Sequence, residues 1–121
     1  MSDKLSVQKE LLEELRGYSA NIIPGTEVLI KELRNERKAD TEELFNLVIQ
    51  GINWEIEVFN NCEDLINGES RQIDKTKMAA AVTRLGKVLQ EKDDIKLAAS
   101  LEVDFIPFLK AMQHVAENLA A

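Results

Sequence analysis

The stretch "NLVIQGINWEIEVFNN", residues 46–61, decides how this chain folds. Asn46, Asn53 and Asn60 stand seven apart, and Asn67 continues the series. On a wheel of about 100° per residue, this column lies about 60° from the column Glu43, Gln50, Glu57 and Asp64, so the two form one narrow polar strip. The rest of the circumference is apolar, from Leu44 and Phe45 through Ile56, Val58 and Phe59, and only Glu55 interrupts it. An ordinary surface helix buries an arc somewhat wider than about 100° and exposes the remainder. This one needs more cover than that. The asparagines therefore mark its wet edge. The acids beside them exclude a buried asparagine that sets helix register.

Three further blocks carry the helical period. Leu5, Leu12, Leu15, Ile22, Leu29 and Leu33 form one stripe, which Pro24-Gly25 interrupts with an expected kink or short break. Met78, Ala81, Val82, Leu85, Val88 and Leu89 form another, and Ala98, Leu101, Phe105, Phe108, Met112, Val115 and Leu119 the last, with a bend expected at Pro107. Asp40 or Thr41, Asp74, and Asp93 or Asp94 are the expected caps. Gly68 offers a left-handed close to the second helix, and "ESRQ" (69–72) makes the loop after it. The expectation is a single all-α domain over 1–121, with helices at about 4–37 (broken near 24), 41–66, 74–91 and 94–119. Short connections favour an antiparallel up-down-up-down four-helix bundle, with helices 1 and 4 kinked near Pro24 and Pro107. Two hairpins that complete a bundle by dimerising are the alternative.

The chain has 121 residues, 45% of them apolar, which is enough for one core and too few for two. Five glycines and two prolines are too few for a fold of many turns. No apolar run approaches the roughly 20 residues that span a bilayer. The charged start "MSDKLSVQKELLEELR" lacks the apolar region of a signal peptide. A single cysteine, Cys62, suits a reducing compartment, so a soluble cytoplasmic protein is expected. A net charge of −7 argues against nucleic acid. Residues 41–70 hold seven acids and no Lys or Arg, whereas residues 71–92 hold six bases against Asp74 and Glu91. That contrast suits helices 2 and 3 lying side by side, with Glu55 snorkelling or pairing with a base on helix 3.

No catalytic constellation, cofactor motif or metal set stands out. His114 is the only histidine and Ala111 precedes it by three, so the Glu-x-x-His pairs of di-iron bundles are absent. Cys62 sits among acids that raise a thiol's pKa, and it reads as a buried, inert side chain. Two candidate sites remain. The strip Phe45, Ile49, Ile52, Ile56 and Phe59 needs cover from within the chain, from a second copy or from another protein. A layer of Pro24, Gly25, Gly51, Trp54, Ala80 and Pro107 falls at similar depth, either as room and bends around an indole or as a cleft.

The motifs "IIPG" (22–25), "GINW" (51–54) and "DFIPFL" (104–109) resemble, in that order, a set of small helical proteins of Firmicutes bacteria. The resemblance implies a bacterial four-helix protein and carries no activity with it. The leading expectation is a non-enzymatic interaction module that self-associates or binds an amphipathic partner helix. A secretion or flagellar-type export chaperone is one alternative. An enzyme or small-ligand binder with a cleft at Trp54 is the other.

Overall fold

The computed structural model describes residues 2–68 and 73–119. It contains α1 (Ser2–Arg34), α2 (Thr41–Ile66), α3 (Lys75–Glu91), α4 (Asp94–Ser100), a π-helical turn (Leu101–Phe105) and α5 (Ile106–Leu119). The last three run on without a gap and act as one rod. The protein is an all-α four-helix bundle, and no strand occurs among the described residues. The expected loop at 69–72, with Arg71, lies outside them.

The helix ends follow from short-range chemistry. Asp74 Oδ1 accepts the backbone N–H groups of Thr76 and Lys77, and Asp93 Oδ1 those of Ile95 and Lys96. Each satisfies donors that a helix start leaves free. Asp40 holds the same position before α2 but makes no side-chain cap. Thr41 ties the loop instead, accepting from Lys38 N and donating to Glu32 Oε1, both at 2.7 Å. Gly68 has no positive φ, so it does not close α2 in the left-handed region. It is needed for space, because a Cβ there would stand 2.6 Å from the Asp64 carbonyl oxygen. Among the described residues the left-handed one is Lys92, with φ 55°, in the turn between α3 and α4.

The prolines behave differently from one another. α1 runs through Pro24 as one α-helix, so the expected break is not there. Pro24 is exposed, and the neighbouring Thr26 hydroxyl bonds the Ile22 carbonyl at 2.8 Å. Pro107 comes just after the π turn, where Ile106 N–H reaches back five residues to Leu101 O. A proline cannot donate to the carbonyl four residues earlier and its ring crowds that carbonyl, so a widened turn relieves both problems.

α1 is the central rod. It packs against α2 on one side and against α4 and α5 on another, while α3 leans on α4 and the π turn. Side-chain contacts fix the directions. Lys4 meets Asp64 while Ser19 meets Glu55, so α1 and α2 are antiparallel. Arg37 grips Asp94 and Arg34 grips Glu102, each through two bonds of 2.7–2.9 Å, so the last rod also runs against α1. Arg84 holds Asp104 in the same two-bond manner. Among the described residues no ion pair joins α2 to α3, contrary to the charge pattern. Asp64 and Glu55 of α2 meet α1, and Arg84 of α3 meets Asp104 of the π turn.

Candidate functional site

α2 buries an arc whose centre is Glu55. Val48, Ile52, Glu55, Phe59, Cys62 and Ile66 recur by four and three, and every one is buried. The interaction strip expected from the sequence therefore splits. Ile52 and Phe59 are 1% and 0% exposed, and Phe59 meets Phe108 edge-on at 6.2 Å. Phe45, Ile49 and Ile56 are half-buried against the same core. Ile52 and Phe59 are covered within the chain, where α1 and α5 pack against α2. Asn46, Asn53 and Asn60 are exposed, as their column required.

Glu55 itself is 0% exposed. It neither snorkels nor meets a base of α3, since its column faces α1. Oε2 lies 3.3 Å from the Ser19 hydroxyl, and Oε1 has no partner. Burial raises its pKa to about 8, against a smaller opposing effect of the Ser19 bond. It is thus a neutral acid near pH 7. Tyr18 and Trp54 pack edge-on beside it with ring centroids 5.2 Å apart.

The sequence reading missed Ser19 and Tyr18. A signal for Ser19 existed: the stripe on α1 skips Gln8, Ser19 and Thr26, and these complete an unbroken three–four rhythm from Leu5 to Leu33. All three are buried. Leu5, at the end of the stripe, is 42% exposed. Gln8 donates to the Asn61 carbonyl and to Asp64. Cys62, buried beside Gln8, has its thiol pKa raised by burial and then by Asp64.

The six residues of the expected Trp54 layer do not converge on one cleft. Pro24, Ala80 and Pro107 are exposed, Gly25 and Trp54 half-buried, and Gly51 buried. Gly51 makes room for α1 rather than for the indole. A Cβ there would come within 2.3 Å of both Ile22 Cδ1 and the Tyr18 hydroxyl. Gly51→Leu is expected to destabilise the fold by about 2–3 kcal/mol through overpacking. Tyr18→Ala in the same chain should recover part of that, as read by urea unfolding. A neutral Gly51→Leu would show that α1 is not held closely here.

Pro107 belongs to another feature. α3 stands off α5 and leaves a groove of about 530 Å³. Met78, Ala81, Pro107 and Phe108 form its apolar floor, and Val103, 68% exposed, stands at its lip. Arg84 on the rim is held by Asp104, and Asp74 is occupied as a cap. Lys77, also on the rim, has no ion-pair partner among the described residues. The groove thus combines apolar contact with a cation that those residues leave unpaired.

Residues 10–115 match a family model described as a domain of unknown function, DUF8042. The chain belongs to this family. The matched span holds both Glu55 and the whole groove of the DUF8042 fold. No curated protein and no solved structure matches the chain. Among the described residues of this DUF8042 protein, no three His, Cys, Asp or Glu gather as a metal site. His114 is exposed and shares a hydrogen bond with Asn118. No described helix is long and apolar enough to cross a membrane.

Proposed function

We propose that this DUF8042 protein is a non-enzymatic interaction module that holds an amphipathic helix of another protein in the groove between α3 and α5. The observation that carries this reading is the groove's make-up: an apolar floor of Met78, Ala81, Pro107 and Phe108 beside Lys77, which no described acid pairs. Helix-in-groove recognition uses apolar anchors on one face of the incoming helix. Lys77 favours an acid flanking those anchors, in a chain whose net charge of −7 otherwise repels acidic partners.

Selection from a displayed library of amphipathic helical peptides tests it. Binders should carry anchors at helical spacing with an acid beside them. Ala81→Trp, which fills the floor, should abolish binding, and Lys77→Glu should weaken it by about tenfold. Binders indifferent to Ala81→Trp, or a library that yields none, would remove the groove as the site.

A further inference from the structure

Glu55 is the one fully buried carboxyl of the described chain, and half of it is unpartnered. It sits midway along the seam between α1 and α2. On one side of it the seam is closed by Tyr18 and Ile22 against Gly51. On the other it is closed by Gln8 on Asn61 and Asp64, and by Lys4 on Asp64. We propose that Glu55 is a proton-operated latch: protonated, it lets the seam close, and ionised, it draws in water and parts the N-terminal half of α1 from α2.

The surroundings leave the ionised form without support. Hydrogen bonds to the ionised form favour it, and Ser19 supplies just one against the cost of burial. From α1, Tyr18 is the titratable group within electrostatic reach. Its own pKa is raised above the ordinary phenol value, first by burial and then by Glu55, so it stays neutral while Glu55 titrates. Along α2, Cys62 is likewise held as the thiol, and Asp64 is committed to Lys4 and Gln8. α5 meets α2 through Phe108 on Phe59. Its ionisable residues Lys110, His114 and Glu117 are exposed, and none bonds to Glu55. Among the described residues no cation is placed to compensate the charge.

Trp54 reports on the seam because Tyr18 packs on it. Its emission and peptide-resolved hydrogen exchange, corrected for the intrinsic pH dependence, can be followed from about pH 6 to about pH 9.5. The midpoint should fall near pH 8. Above it, Trp54 emission should shift to the red, and amides of residues 12–22 should lose about tenfold protection while those of α5 keep theirs. Glu55→Gln should abolish the transition. Ser19→Ala should move the midpoint upward, since the hydroxyl supports the ionised form. Tyr18→Phe should retain the transition, which assigns it to the carboxyl. Superposable profiles for the parent and Glu55→Gln would overturn the proposal, as would loss of α1 and α5 protection together. Should Glu55→Gln fail to fold, an unmoved midpoint in Ser19→Ala overturns it alone.

Discussion

At about pH 8, Glu55→Gln should be more stable than the parent chain by on the order of 3–5 kcal/mol. At about pH 4 the two should coincide. The folded state holds the Glu55 proton up to about pH 8, whereas the ordinary value for a free glutamate is 4.5. The stabilising effect of that proton is complete below the unfolded pKa. Between the two pKa values the unfolded chain releases the proton and the folded chain keeps it, so stability falls by about 1.4 kcal/mol per pH unit. The loss is complete once the pH has passed through the folded value. The substituted glutamine has no proton to lose, so the variant's profile should lack this slope. Asp64, Asp94 and Glu102 act at the other end. Lys4, Arg37 and Arg34 respectively lower their pKa values, so their contribution is lost as the pH falls through those lowered values. The parent chain should therefore be most stable on the acidic side of neutrality. Urea midpoints across pH for both chains measure this, and parallel profiles would show that Glu55 is not protonated in the fold.

Ile52→Glu should cost about 4 kcal/mol or more, because it places an unpaired charge where the side chain is 1% exposed. That is a large share of the roughly 5–15 kcal/mol that holds a domain together, so partial unfolding at neutral pH is expected. Phe45→Glu, at a half-buried position on the rim of a pocket shared with Val88 and Leu89, should cost clearly less. The contrast tests whether the apolar excess of α2 is internal. A folded Ile52→Glu chain with an altered sedimentation coefficient would instead make that strip an interface between copies. Circular dichroism and sedimentation velocity on both variants separate the two outcomes.

The helices were legible because their apolar residues recur by three and four, and aspartates mark two of the starts. Thr41–Ile66 begins and ends where the periodicity placed it, and the last rod spans 94–119 as expected. Which faces meet was less legible. Helix pairing depends on where buried arcs match in three dimensions, and a charge contrast between two segments does not encode that. Arg84 of α3 thus found Asp104 of the π turn rather than an acid of α2. The Trp54 layer fell apart for a related reason. Residues at one height along a bundle need not face the same way: Pro24 is exposed, whereas Gly51 is buried against Ile22 of the helix that carries Pro24. Glu55 was visible as a break in an apolar arc, but its partner was hidden. Ser19 looks like any small polar residue until the skipped positions of the α1 stripe are filled in.

Those skipped positions also govern alignment. A stripe of leucines and isoleucines on a helix as long as α1 would pack almost equally well after sliding by about two turns, roughly seven residues, along its neighbour. Gln8 and Ser19 remove that degeneracy. A slip that set Leu12 against Glu55 would strip the carboxyl of its single hydroxyl, and it would carry Gln8 away from the Asn61 carbonyl. The buried polar residues contribute little to how tightly α1 and α2 adhere, but they leave the pair one alignment in which to do so.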